Sequence, residues 1–586
     1  MEIVKNRDQI EDTYKWDLSS LCESDDLWQQ KFDAILASLT EFKRYEGKLD
    51  AENLLDCLQL SDKIEEDVMK LVAYSMMKRD EDTRNSFYGA MSNKASTLHA
   101  QFYSATSFIA SEILAMGYEN LPDLKTYRHY FDNMFRLKNH ILSADKEQLL
   151  ALVTEIAAAP NSIYTTLTNA DIKFPNVEDS FGVSHELTKV RYGVLMESDD
   201  RVLRKNAFKT FYQSFISIEN TLAQAYNSSV LGDLFFARAR NYKSAMESAL
   251  APNNIPTTIY DNLIKTVGNN LDLMHQYTAL RKKALGLEEM HMYDQQAPIV
   301  EDVDATIPFD KAKETILEAL APLGEEYISI LQKAFDENWI DLYENTGKFS
   351  GAYCFGVHGA NPYILMNYAN KMSDMFTLAH ELGHALHSYY TNQNQPIVYS
   401  QYTIFLAEIA STVNEALLMD YLLKRADKKT TVYLLNYFME QFRSLIFRQT
   451  MFAEFEKLTH EQVANNEPLT VDSLKDLYYG LIKKYFGVGI VADEEIANEW
   501  SRIPHFYSSF YVYQYSTGYS AAIAISKKIL SGDKNALEKY IGLLKSGSCD
   551  YSVDLLKQAG VDMETPAPIE DALSLFKELL NRFGGE

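Results

Sequence analysis

Glycine and proline are scarce in this 586-residue chain, at 24 and 14 residues. That is about 4% and 2%, where globular proteins average near 7% and 5%. Few turn formers favour long helices over many short strands. Cysteine is scarcer still: Cys22, Cys57, Cys354 and Cys549 form no CxxC pair, which excludes a disulfide framework. No apolar run reaches the roughly 18 residues of a membrane span, and the opening MEIVKNRDQIEDTYKWDL has no signal-peptide core. A reducing cytoplasm is the expected location. Positive charge is short as well, with 56 Lys and Arg against 82 Asp and Glu and a net charge of −26. Nucleic acid and anionic membranes both require cationic surface, so neither is an expected partner.

What is present is a globular balance of 46% hydrophobic and 24% charged residues, dominated by helical periodicity. From 259 to 287, Tyr260, Leu263, Ile264, Val267, Leu271 and Met274 fall on one apolar stripe, with a start signal at Pro256-Thr257-Thr258 and a stop at Gly286. Similar patterns fill 51–115, 197–245, 404–426 and 431–458. Breaks are best placed at 178–193 and 251–256, dividing the chain into a helical region, 1–190, and a larger body, 191–586. GAYCFGVHGANPYILMNY (351–368) departs from this pattern. Its glycines, the Asn361-Pro362 turn and the run from Tyr363 to Met366 predict one or two short strands.

The stretch that follows, FTLAHELGHALHSYY (376–390), carries the chemistry. A helix over 373–390, capped by Ser373 or Asp374, sets His380 and His384 about 40° apart on one face. Both imidazoles can then reach one zinc ion, with Glu381 one step round the helix to take a proton from metal-bound water. Gly383 weakens the helix by about 1 kcal/mol against alanine, which close packing against another backbone would explain. A second His-Glu pair, His185-Glu186, has Lys189 at the fourth position after the histidine and is expected to be structural.

A catalytic zinc needs a third protein ligand and an open position. Tyr390 stands where a metzincin would place histidine, which excludes that class. FLAEIASTVNEALL (405–418) is an amphipathic helix with Glu408 and Glu415 two turns apart. Glu408 is the candidate third ligand and Glu415 the partner of a ligand histidine, the alternative being two carboxylates on a wet face. RIPHFYSSFYVYQYSTGYS (502–520) gathers His505, Tyr507, Tyr511, Tyr513, Tyr515 and Tyr519. Such a segment serves either as aromatic core or as donors to a polarised carbonyl. His387 is expected to support the motif and His358 to line a cleft, while the other histidines, His460 among them, are expected at the surface or satisfied in the core.

AHELGHALHS, AEIASTVNE, GAYCFG…PYILMNY and RIPHFYSSFYVYQYSTGYSAA together resemble the oligoendopeptidase F branch of the thimet-type zinc oligopeptidases. YKWDLSSL and HELTKVRYGVLMES extend the likeness to nearly the whole chain. The resemblance implies a predominantly all-α fold, with two helical lobes enclosing a deep substrate channel and a small β-sheet beside the zinc site. It implies one zinc per chain on His380, His384 and Glu408, Glu381 as general base and acid, and His505, Tyr515 and Tyr511 on the substrate. NTGKFSGAY departs from the pattern, since a more basic stretch is expected where Phe349 stands. The expected function is a zinc endopeptidase of short peptides. Segment 362–368, which includes Tyr363, would pair with the substrate as an added strand. The alternatives are a helical zinc carboxypeptidase or dipeptidase and an inactive peptide-binding protein.

Overall fold

The computed structural model describes residues 4–300 and 306–585. Helices account for most of the described chain, as the shortage of turn formers requires. None of the described helices is long and apolar enough to cross a membrane. The described strands are short: β1 (Val177–Glu178), β2 (Ser184–His185), β3 (Ile340–Asp341), β4 (Tyr353–Phe355) and β5 (Tyr363–Leu365). β1 and β2 form a hairpin. The other three make one sheet in the order β3-β5-β4, with β5 parallel to β3 and antiparallel to β4.

The chain divides into two compact units, each discontinuous in sequence. The first comprises Met1–Lys138, Asp304–Lys424 and Ile525–Val561; the second comprises Asn139–Val303, Arg425–Ala524 and Asp562–Glu586. The boundary expected near 190 falls inside the second unit, in the helix Lys189–Met196. A buried ion cluster accounts for the N-terminus joining the first unit. Asp341 on β3, with no solvent exposure, accepts from Arg7 Nη1 at 2.7 Å and pairs with Lys348 Nζ at 2.7 Å. A buried carboxylate with two cationic partners is costly to separate from either of them.

Two expectations about helices change. The stripe over 259–287 is two helices, Thr257–Gly268 and Leu271–Ala284, interrupted at Asn269 and Asn270. An apolar stripe does not register such a break, because it continues across one turn of non-helical backbone. The motif helix runs from Met372 to Asn394 with Lys371 at its N-cap, not Ser373 or Asp374. Asp374 stands three residues in, where its carboxylate accepts from the backbone N–H groups of Ala369 and Lys371, at 2.8 and 2.9 Å.

Candidate metal centre

The motif helix packs along the helix Ile404–Leu423, and both belong to the first unit. Gly383 makes this approach possible. A Cβ there would lie 2.5 Å from Ser411 Cα and 2.6 Å from the Ala410 carbonyl oxygen. Neither backbone atom can give way, so the helix-weakening glycine is required by the contact. Asn414, fully buried, fixes the register: its Nδ2 donates to the Ala379 carbonyl at 3.0 Å, and its Oδ1 accepts from Tyr327 at 2.9 Å.

In this register, helical spacing brings three ligand atoms together. His380 Nε2 and His384 Nε2 lie 3.2 Å apart, and Glu408 Oε2 is 3.4 and 3.6 Å from them. Glu415 Oε1 lies 2.6 Å from His380 Nδ1. By accepting the Nδ1–H it turns Nε2 toward the cluster, where a metal ion would take the place of the second proton. Ser411 Oγ donates to Glu408 Oε2 at 3.1 Å and orients the carboxylate.

Three electron-rich atoms at this separation call for a positive charge between them. Burial disfavours a charge on His380, but hydrogen bonds to Glu408 and Glu415 outweigh it and push the ring up to about 10. His384, lowered by burial and by His380 to about 4, stays neutral. A neutral imidazole, a second imidazole fixed by a carboxylate and an anionic oxygen are a metal-ligand set, and the residues fit a divalent ion. Glu381 is buried, which raises it to about 7, and its Oε2 has no hydrogen-bond partner.

Other expected residues are placed differently. His185 sits in the β1–β2 hairpin with Asp179 Oδ2 2.9 Å from its Nε2, and gathers no ligands. His358 does not offer a free nitrogen to a ligand, because Glu66 and the Gln395 carbonyl engage both ring nitrogens at 2.9 and 3.1 Å. Tyr363 is fully buried with its hydroxyl on Ser20 and the Asp17 carbonyl, so its side chain is structural. β5, which contains it, is paired on both sides, so segment 362–368 has no edge to give a substrate strand. The sheet edge neighbouring the motif helix is β4, and Gly356, just beyond it, approaches Ser388 of that helix too closely to admit a Cβ. His387 is buried and stacked on Tyr402, with 3.7 Å between ring centres. Sequence reasoning missed Ser411, Asn414 and Tyr402, whose residue types carry no signal apart from their contacts.

His505, Tyr511 and Tyr515 belong to the second unit. Their rings form one group, with centres 5.6–6.3 Å apart.

The sequence profile of peptidase family M3 matches residues 194–575, and that of oligopeptidase F matches 109–174. The chain belongs to peptidase family M3. Its relatives include oligopeptidase PepF of Bacillus subtilis, 45% identical over 99% of this chain and 88% of that protein. Group B oligopeptidase PepB of Streptococcus agalactiae is 38% identical over 98% and 97%. Among solved structures, a putative peptidase from Chlamydophila abortus superposes with a TM-score of 0.93 at 34% identity, covering all of both chains. Oligoendopeptidase-F from Enterococcus faecium gives 0.72 at 37%, over 97% and 99%. Membership in a metallopeptidase family agrees with the cation-demanding geometry of His380, His384 and Glu408.

Proposed function

We propose that this M3 peptidase is a zinc-dependent oligoendopeptidase that hydrolyses internal bonds of short peptides. The observation that carries the reading is the convergence of His380 Nε2, His384 Nε2 and Glu408 Oε2 within 3.2–3.6 Å, beside a buried glutamate with a free oxygen. Two imidazole nitrogens and one carboxylate oxygen suit zinc and leave a position open. When bound, the ion would act as a Lewis acid toward the scissile carbonyl and the attacking water.

The remaining work falls to the chain. Glu415 keeps His380 in the tautomer that presents Nε2, and Ser411 keeps Glu408 turned toward it. Glu381 takes a proton from the attacking water and passes it to the leaving amine. His505 and Tyr515 are assigned as donors to the developing oxyanion, and Tyr511 as a contact to the peptide backbone. The support for these three is the likeness of their segment to the oligoendopeptidase F pattern and the hydrogen-bonding capacity of an imidazole beside two phenols. An extended substrate would find its pairing partner at the β4 edge. The unpaired cysteines, two of them buried, suit a cytoplasmic enzyme.

The test uses a fluorogenic peptide blocked at both ends, with metal analysis alongside. Internal cleavage, lost with chelator and restored by zinc, is the expected result; cleavage only from a free terminus would replace this reading with an exopeptidase. Glu408→Ala should lower zinc affinity. Unchanged affinity would remove Glu408 from the ligand set.

A further inference from the structure

We propose that Glu456 is a positioning residue that sets the productive conformation of the segment carrying His505, Tyr511 and Tyr515. This rests on the reading that those three side chains meet substrate. Phe510, the residue before Tyr511, has a left-handed backbone, φ 54°. The other described non-glycine residues with positive φ are all asparagines, at 241, 254, 338, 370 and 466. Asparagine tolerates that region, whereas an aromatic held there is strained. Something must hold Phe510 in place.

That group is the carboxyl of Glu456, fully buried in the helix Gln449–Ala464. Its Oε1 accepts the Phe510 backbone N–H at 2.6 Å. The Phe510 ring is clamped between Tyr260 and His460, with ring centres 5.5 and 4.6 Å away. His460 is fixed in turn between the Glu456 carbonyl and Asp233, at 2.8 and 3.1 Å. Before the corner, Ser508 N–H donates to the His505 carbonyl; after it, Tyr515 N–H donates to that of Val512. Phe510 is therefore the bend through which His505 is aimed relative to Tyr511 and Tyr515. A buried carboxyl is an expensive way to fill this volume, and burial pushes it up to about 8. Its remaining use is as a hydrogen-bond acceptor of fixed reach.

Reach and ionisability can be separated. Glu456→Gln keeps the acceptor at the same distance and removes the ionisable proton; Glu456→Asp keeps the carboxyl and withdraws the acceptor by one methylene. Both are assayed for kcat, KM, zinc content and melting temperature, with Tyr515→Phe in parallel. Glu456→Gln should stay within about threefold of the parent, and Glu456→Asp should lose about 10- to 100-fold in kcat at unchanged zinc content, the penalty of misplacement by about 1 Å. Should Glu456→Asp not fold, Glu456→Met, similar in volume but without the acceptor, carries the same expectation. Full turnover per folded molecule in Glu456→Asp, or an equal loss in Glu456→Gln, overturns the proposal. If Tyr515→Phe also keeps full turnover, the reading of the whole segment falls; if Tyr515→Phe alone is impaired, only the role of Glu456 does.

Discussion

His380, His384 and Glu408 project from two long helices locked face to face by Gly383 and Asn414. His505, Tyr511 and Tyr515 are carried on or beside short turns, from Pro504–Tyr507 to the start of the helix Tyr513–Leu530, and depend on buried carboxylates from elsewhere in their unit. Glu499 clamps Arg502 and Arg448, each at 2.6 Å, and Glu456 holds Phe510. In the first region helix geometry does the aiming, and the backbone needs no outside help. In the second, the bend between Tyr507 and Tyr513 has no helical ladder, so Glu456, distant in sequence, supplies its constraint. A site on helices is hard to bend, whereas one on turns is only as rigid as its anchors.

The comparison breaks most severely at Glu381, which the proposed mechanism needs however well the rest is aimed. Glu381→Gln should retain one zinc and lose about 10⁴-fold in kcat, the upper range for a lost acid-base group; metal analysis with single-turnover kinetics checks both halves. Next comes the anchor at Glu499. Burial raises a carboxyl, but Arg448 and Arg502 overcome it and bring Glu499 down to about 2. Its folded value is thus below the unfolded value near 4.5, so its stabilising contribution is present above pH 4.5 and lost as the pH falls toward 2. Glu499→Gln should cost about 3–5 kcal/mol at pH 7 by stranding two arginines, and should flatten the loss of stability between pH 4.5 and 2 in denaturant melts.

Tyr515→Phe should lower kcat by about 10²–10³-fold and barely move KM, zinc content or melting temperature, as removal of a transition-state donor does. Normal turnover would make Tyr515 a packing residue and leave the metal cluster as the only chemically active region of the two. The mildest change sharpens the helical side. Gly383→Ala should destabilise by about 1–3 kcal/mol through overpacking against Ser411, with weaker zinc binding because the helices carrying the ligands must part. A fully retained zinc affinity would show that the ligand geometry tolerates helix separation.

The group of His380, His384 and Glu408 was legible because its cue is local. Two histidines four apart and a carboxylate on a following apolar helix need only helix geometry to suggest a metal site, and even the odd glycine at 383 announced a close contact. His185 shows where the same cue stops: it ends a two-residue strand, and the residue four further on, Lys189, already begins the next helix. The contacts of Tyr363 and His358 were not legible, because nothing in sequence tells a buried hydroxyl from an exposed one, names the partners of a ring nitrogen, or shows that β5 lies in the middle of its sheet. The break at Asn269 and Asn270 escaped for a related reason, since an apolar stripe records which face is buried and not whether every turn is hydrogen-bonded.

By itself the sequence determined the helical class, through its poverty in glycine and proline, and the chemistry of the metal group, through residue types at fixed helical spacing. Tertiary structure alone decided that Asn414 fixes the register of the two ligand-bearing helices, that the N-terminal segment shares a unit with the three-stranded sheet, and that Glu456 grips Phe510. Each of these joins residues from different elements or turns on which way a side chain points. Such pairings follow from packing a whole core at once, and no short window of sequence contains them.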